Sequence, residues 1–287
     1  MFTKILIRCI LYPLSLLPLS VLYLLSLKLY FILNHIAGYR KKVIVDNLKR
    51  AFPNLTKKEL KQITKSYYWH FAQITVEMIK MLSMSKTSVL KRYKITNPEI
   101  LKPYYEKKQT VILASSHYNN WEWMVLSLQL QIQHDAIGVG KRNTNTDFED
   151  LVNRYRTRYG TQVVFTDEIR NYVMQNSENQ PLALMMLADQ SPNPQKSYIC
   201  SFLNQETHFL YGPEYLAKKH HFPVFYYFVR KIKRGYYEID IQLITDTPCD
   251  TDYGEITRQY VHCLEHQIYE NPAYWLWSHR RWKHVPN

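Results

Sequence analysis

The fold of this chain is decided by residues 110–131, TVILASSHYNNWEWMVLSLQLQ. Residues 110–114 are an apolar run with the composition of a buried strand, whereas residues 121–131 favour a helix. The segment between them therefore predicts a tight strand-to-helix turn, in which Asn119 or Asn120 tolerates the turn geometry and caps the helix. In layered α/β proteins such turns lie at the carboxyl ends of strands, where active sites form.

Strand and helix patterns alternate along the rest of the chain and predict the fold class. Thr56 and Glu59 form a capping box, which starts a helix whose apolar stripe either packs on the sheet or lines a membrane-facing groove. The turn at residues 233–235 predicts an antiparallel hairpin. We therefore expect an α/β fold, a layered mixed sheet flanked by helices. The predicted strands are 92–96, 110–115, 136–140, 162–165, 181–187, 198–203, 223–231 and 236–244, and the predicted helices are near 41–51, 57–83, 98–107, 120–132, 146–159, 167–176, 213–220 and 254–270.

An uncharged apolar segment, residues 9–27, precedes these patterns and is bounded by Arg8 and Lys28. It is long enough to cross the hydrocarbon core of a bilayer as a helix. No small-x-small cleavage site follows it, which favours an uncleaved membrane anchor over a signal peptide. Pro13 and Pro18 leave open a kinked segment that lies in one leaflet.

The chain therefore divides into a hydrophobic anchor and one globular domain. We place the anchor at residues 1–35 and the domain at 36–287, of which 36–90 is a helical N-terminal part. The net charge of +13 is concentrated in the first 70 residues, which indicates anionic lipid headgroups as partners. No nucleic-acid-binding motif accompanies the charge. The stronger basic flank follows the anchor, so the positive-inside tendency places the domain in the cytoplasm.

The sequence lacks the motifs that mark several other classes of enzyme. The sequence has no GxGxxG, no Walker A loop, no GxSxG elbow and no HExxH, so dinucleotide, nucleotide, serine-hydrolase and zincin functions lose their usual support. The four cysteines have no CxxC spacing, which indicates reduced thiols and neither a disulfide framework nor a zinc site. We therefore expect no metal and no bound cofactor.

His117 and Glu122 combine a base and a carboxylate at the predicted turn, in the spacing His-x4-Glu. An imidazole that titrates near neutrality can take a proton from a hydroxyl. A fixed carboxylate can hold the ring in one tautomer and stabilise the imidazolium. The spacing by itself is also compatible with a structural histidine, so the surrounding residues decide its meaning.

These surroundings resemble a known family. SHYNNWEW, residues 116–123, is similar to the His-x4-Asp/Glu motif of the glycerolipid acyltransferase superfamily, and most of all to its bacterial lipid A late (secondary, lauroyl/myristoyl-type) acyltransferase branch. Further similar blocks follow in order, namely IGVGKRNTN, LMMLADQSPN, GPEYLAKKHHFPVFYYFVR and YWLWSHRRWK. The resemblance covers roughly residues 105–284. The FPEGTR-type block is missing, which argues against a simple phospholipid acceptor.

The resemblance implies a membrane-bound O-acyltransferase of the bacterial inner membrane. His117 would be the general base and Glu122 its partner, and a fatty acyl chain would pass from a thioester to a hydroxyl of an anionic lipid A precursor. Acyl carrier protein is the implied donor, with coenzyme A as the alternative, and either acts as a co-substrate. Another acceptor, such as an ornithine-type aminolipid, a glycolipid or a lysophospholipid, stays open, and so does a non-catalytic membrane adaptor.

Four further residues are candidates for binding substrate or an oxyanion. Lys141 and Arg142 follow a predicted strand, where a cation can bind a phosphate or a developing oxyanion. The resembled family usually has an arginine near the position of Lys141, so the two residues compete for this role. Asp189 follows another strand and either positions the site or caps a turn. Arg280 lies in the Trp-rich tail, residues 275–284, which either clamps an anionic headgroup or closes the sheet.

Overall fold

A mixed sheet of seven strands lies at the centre of the molecule. The computed structural model describes residues 6–142, 144–177 and 180–283, apart from the side chain of Asp147. The strands are β1 (Tyr93–Ile95), β2 (Val111–Ser115), β3 (Asp135–Gly140), β4 (Gln162–Phe165), β5 (Leu182–Leu187), β6 (Ser197–Phe202), β7 (Gln205–Leu210), β8 (Val224–Lys233) and β9 (Tyr236–Thr245). The strand order in the large sheet is β1-β9-β8-β2-β5-β3-β4, and β6 pairs with β7 as a separate hairpin.

Strand direction brings several strand ends to one edge of the sheet. β8, β2, β5, β3 and β4 run parallel to one another, whereas β9 runs antiparallel to β8. The carboxyl ends of β2, β5 and β3 therefore lie side by side, where ligand sites of α/β sheets form. The predicted mixed sheet and its hairpin are confirmed.

Helices flank this sheet. They are α1 (Tyr12–Leu16), α2 (Leu19–Phe31), α3 (Lys41–Ala51), α4 (Lys57–Met81), α5 (Lys86–Arg92), α6 (Lys102–Glu106), α7 (Trp121–Ser127), α8 (Thr146–Arg156), α9 (Ile169–Asn176), α10 (Gly212–His220) and α11 (Glu255–Glu270). The predicted capping box of α4 is present, because Glu59 N–H donates to Thr56 Oγ1 and Thr56 N–H donates to the Glu59 carboxylate. The stripe of α4 packs into the core, where Ile74 joins the cluster of Val111 and Leu113.

Two elements, α5 and β7, were not predicted. β7 pairs with β6 through a two-residue turn in which both Leu203 and Asn204 have positive φ angles, 48° and 62°. Leucine is not a turn signal, so the pattern gave no sign of a hairpin here. α5 is short and is capped by Ser85, whose Oγ accepts a hydrogen bond from Ser88 N–H.

The N-terminal apolar segment is broken rather than continuous. Leu17 and Pro18 have extended backbone angles, with ψ values of 148° and 145°, so α1 and α2 are separate helices. This is the kinked arrangement that Pro18 left open. Helical geometry continues from α2 through a π-helical turn to Ile36, and the stretch Leu19–Ile36 is long and apolar enough to cross a membrane.

Candidate active site

The turn after β2 presents His117 at the carboxyl edge of the sheet. Asn119 adopts the left-handed conformation, with φ of 56°, that reverses the chain there. Asn120 Oδ1 accepts a hydrogen bond from Trp123 N–H at 3.0 Å and caps α7. Both asparagines act as expected, since their short polar side chains tolerate this backbone and satisfy a free helix amide.

Asp189 is the partner of the His117 ring. Its Oδ1 lies 2.7 Å from His117 Nδ1, and its Oδ2 accepts the His117 backbone N–H at 2.9 Å. Trp275 Nε1–H donates to the same Oδ2 at 2.8 Å. The contact arises because β2 and β5 are parallel neighbours, so the residues that follow Ser115 and Leu187 meet beyond the sheet edge.

The electrostatics of the pair give the ring a defined tautomer. Asp189 is 3% exposed, and burial alone would raise its pKa. The interactions with His117 and the Trp275 hydrogen bond outweigh burial and hold the pKa of Asp189 below its ordinary value. The Asp189 carboxylate accepts Nδ1–H, so Nε2 has the lone pair when the ring is neutral, and the Gln190 amide nitrogen lies 3.1 Å from Nε2.

Glu122 has a different partner from the one expected. Its carboxylate forms a bidentate pair with Arg156 of α8, with Nε donating to Oε2 at 2.6 Å and a terminal nitrogen donating to Oε1 at 2.5 Å. The expectation that Glu122 orients the imidazole is thus corrected, since Asp189 occupies that place. His117 lies in the turn before α7, whereas Glu122 lies on the first turn of α7. The rotation of the helix therefore points the two side chains in different directions.

Arg156 is the cation that pairs with the glutamate of the His-x4-Glu motif. Burial alone would lower the pKa of its guanidinium, but the adjacent Glu122 charge raises it above its ordinary value. A bidentate arginine–carboxylate pair fixes both groups in one orientation. No motif in the sequence marked Arg156, because its partner lies on another helix.

Lys141 and Arg142 follow β3, at the same edge of the sheet as His117. Lys141 is exposed. The half-exposed Arg142 guanidinium pairs with the carboxylates of Asp167 and Glu168 and stacks over the Phe165 ring at 4.0 Å. These contacts lead toward the β4 side of the sheet rather than to His117.

The Trp-rich tail is anchored by its three indoles, Trp275, Trp277 and Trp282, which are all buried. Arg280 is exposed. Its neighbour Arg281 is only 2% exposed. The tail therefore closes over the carboxyl edge of the sheet, which is the second of the two roles considered for it. His284 lies outside the described residues.

Two further residues of the tail, His279 and Arg281, interact electrostatically with Asp189. Arg281 donates to the His208 carbonyl at 2.7 Å, and burial lowers the pKa of its guanidinium to about 10. His279 Nε2 accepts Ser191 N–H at 3.1 Å, and burial lowers the pKa of His279 to about 4. Only the folding back of the tail reveals this proximity.

A shallow, open crevice lies between α4, the turn and the tail. Its walls are mainly aromatic and aliphatic, and they comprise Tyr67, His70, Phe71, Ile74, Asn119, Trp121, Tyr274, Trp275 and Leu276. Trp121 also contacts the His117 ring, with centroids 5.3 Å apart. Within the described part of the chain, His70 Nε2 and Asn119 Oδ1 are buried without a hydrogen-bond partner. The crevice is therefore a mainly apolar surface that borders the turn carrying His117.

Comparison with known proteins agrees with the predicted family. A search of curated protein sequences gives no match to this chain. The model of the family described as bacterial lipid A biosynthesis acyltransferase matches residues 1–284. The chain therefore belongs to the bacterial lipid A biosynthesis acyltransferase family and is an acyltransferase.

Proposed function

We propose that this protein transfers a fatty acyl chain from acyl carrier protein to a hydroxyl of a lipid A precursor, at the cytoplasmic face of the bacterial inner membrane. The observation that carries the proposal is the His117–Asp189 pair, with its 2.7 Å contact at the carboxyl edge of the sheet. Family membership supports the lipid acceptor. The basic, apolar N-terminal segment supports the membrane surface as the place of reaction.

Ester formation begins with the acceptor hydroxyl at His117 Nε2, where it displaces the Gln190 amide. Nε2 takes the hydroxyl proton as the oxygen attacks the thioester carbonyl carbon and the C–O bond forms. Asp189 stabilises the imidazolium, as a buried carboxylate does in other histidine-based sites. General-base assistance of this kind contributes roughly 10²–10⁴-fold to the rate.

Collapse of the tetrahedral intermediate completes the transfer. The C–S bond breaks, and His117 returns its proton to the leaving sulfur, which departs as the thiol. The products are an ester and the free carrier thiol, so protons and bonds balance without an acyl-enzyme. The imidazole ends in the tautomer in which it started, ready for another acceptor.

Arg156 supplies the positive charge of the site in this proposal. The bidentate Glu122 pair fixes the guanidinium beside the start of α7. A preorganised cation stabilises charge that develops on a carbonyl oxygen, or it binds an anionic headgroup. The role of Glu122 is then to position Arg156 rather than His117.

The crevice and the exposed basic residues surround the His117–Asp189 pair and are proposed to bind the parts of the substrates that do not react. The crevice beside Trp121 offers an apolar surface along which a substrate chain can lie. Lys141, exposed at the same edge, attracts an acidic carrier protein, whereas the Arg142 charge is already paired with Asp167 and Glu168. Arg280 is exposed and contributes to headgroup attraction.

The test is an acyl-transfer assay on the detergent-solubilised full chain. Acyl carrier protein and coenzyme A thioesters are offered with a panel of acceptors, namely lipid A precursors, aminolipids and lysophospholipids, and products are identified by mass. We expect an added ester chain on the lipid A precursor, lost in His117→Ala and retained in the matched exposed variant His266→Ala. Turnover in His117→Ala would overturn the mechanism. Acylation of an aminolipid alone would replace the acceptor, and no transfer by the unmodified protein would favour an adaptor.

A further inference from the structure

The break between α1 and α2 is tied to the globular domain. Lys80 Nζ donates to the carbonyl oxygens of Ser15 and Leu17 at 2.8 and 3.0 Å, and Ser83 Oγ donates to Ser15 at 2.6 Å. In hydrocarbon, carbonyl groups freed by a helix break have no partner. Here α4 and the loop after it satisfy them, so the break lies against protein.

α2 is also attached to the domain along one face. Leu22, Tyr23 and Ser26 are buried, and Tyr23 Oη donates to the fully buried Glu77 of α4 at 2.7 Å. Arg234, at the tip of the β8–β9 hairpin, lies over the Tyr23 ring at 4.6 Å. If α2 crossed a bilayer, this basic hairpin and α4 would be drawn into hydrocarbon with it.

Lys28 also argues against crossing. The apolar helical stretch Leu19–Ile36 is about 27 Å long at 1.5 Å per residue, and Lys28 lies near its midpoint with an exposed side chain. A charged lysine at the centre of a bilayer is strongly unfavourable. In an in-plane helix the same side chain reaches the headgroups.

The opposite face of this segment is apolar and exposed. Its most exposed large side chains are Ile10, Leu16, Leu24, Phe31 and Ile36. An apolar surface of this kind on a folded domain marks an interaction site. The exposed basic residues of the β8–β9 hairpin are Arg230 on β8 and Lys233 and Arg234 at its tip, and they place positive charge at this border, which is complementary to anionic phosphate groups.

We propose that residues 6–36 lie in the plane of the membrane, embedded in a single leaflet that contains anionic lipid. The outward face of α1 and α2 enters the acyl region, and the hairpin tip contacts phosphate groups. The segment ends beside the crevice, because Tyr39 stacks on Phe71 of the crevice wall with centroids 5.9 Å apart. A lipid chain thus passes sideways from the leaflet into the crevice. This last step rests on the proposed function, whereas the in-plane position does not.

Topology mapping tests the proposal without reference to turnover. Arg8→Cys and Lys41→Cys flank the apolar stretch and are made singly in the full chain after Cys9, Cys200, Cys249 and Cys263 are changed to serine. Right-side-out and inside-out sealed vesicles are prepared separately, and each is treated with a membrane-impermeant maleimide. We expect both cysteines to react from the same side. Reaction from opposite sides would overturn the in-plane position even if acyl transfer proceeds as proposed.

Vesicle binding tests the lipid contact with matched variants. Leu24→Gln alters a residue of α2 that is 64% exposed, whereas Ile199→Gln alters a residue of β6 that is 52% exposed. We expect Leu24→Gln to weaken binding to phosphatidylcholine–phosphatidylglycerol vesicles and Ile199→Gln to leave it unchanged, with equal melting temperatures. Arg230→Gln should weaken binding by about fivefold on anionic vesicles only. If Leu24→Gln and Arg230→Gln both bind these vesicles as tightly as the unmodified protein, the proposed surface is refuted.

Discussion

Asp189 Oδ1 lies 2.7 Å from Nδ1 of His117, although 72 residues separate the two along the chain. The same carboxylate accepts the His117 backbone N–H and the Trp275 indole N–H. It therefore fixes the imidazole orientation, the turn that carries it and the tail that covers it. A change at Asp189 affects all three.

Asp189→Asn is expected to reduce kcat by roughly 10²–10⁴-fold, with little change in KM. Asparagine keeps the shape of the side chain, but its neutral amide neither favours the Nδ1–H tautomer nor stabilises the imidazolium. Steady-state acyl transfer measures the effect, and circular dichroism checks the fold. A kcat within threefold of the unmodified protein would show that Asp189 is structural only.

The Glu122–Arg156 pair is expected to behave as a coupled unit. Glu122→Gln and Arg156→Gln each leave a largely buried charge unpaired and should lower the free energy of unfolding by about 3 kcal/mol. The double variant should cost clearly less than the sum, as measured by urea unfolding in a double-mutant cycle. Arg142→Gln breaks an exposed pair and serves as the control, with an expected cost under about 1 kcal/mol. Additive single effects would show that the pair is not coupled.

Substitutions of the two adjacent tail arginines should differ in their effect on stability. Arg281→Gln removes a buried donor from the His208 carbonyl and should destabilise the fold by about 2–3 kcal/mol. Arg280→Gln changes an exposed side chain and should stay within about 0.5 kcal/mol. Thermal and urea unfolding compare the two variants. Equal effects would argue against the buried position of Arg281.

His279 is expected to make stability depend on pH between about 4 and 6.5. Its pKa is depressed in the fold, so the unfolded chain binds its proton more strongly in this window. His279 therefore imposes no penalty on the fold above about pH 6.5, and it lowers the free energy of unfolding progressively as the pH falls toward 4. His279→Gln keeps an acceptor for Ser191 N–H but does not titrate. Urea unfolding at pH 7 and pH 5 should show a smaller pH difference in the variant, and an unchanged difference would remove His279 as a cause.

Lys141→Glu should raise KM for acyl carrier protein thioesters with little change in kcat. The reason is charge repulsion between the new carboxylate and an acidic carrier, which slows association. A neutral acyl-pantetheine thioester provides the control substrate, since its KM should not change. A similar rise in KM for both donors would indicate a local distortion of the site rather than carrier docking.

Local patterns were sufficient for most of the framework. The apolar run at 110–114 predicted β2, and the apolar stripe of α4 predicted a helix that packs on the sheet. Both patterns work because side-chain periodicity reflects the face that becomes buried. The asparagines of the turn acted as expected for the same local reason. β7 escaped prediction, since its turn contains Leu203 in a conformation that leucine rarely adopts.

The sequence by itself determined the alternation of strands and helices, the turn that presents His117, the apolar N-terminal segment and the resemblance to the family. Only the tertiary structure decided that Asp189, rather than Glu122, holds the ring, that Glu122 pairs with Arg156, and that the apolar segment breaks against α4. The physical reason is range: periodicity and capping act between residues a few positions apart, whereas these partners meet because parallel strands and packed helices bring distant residues together.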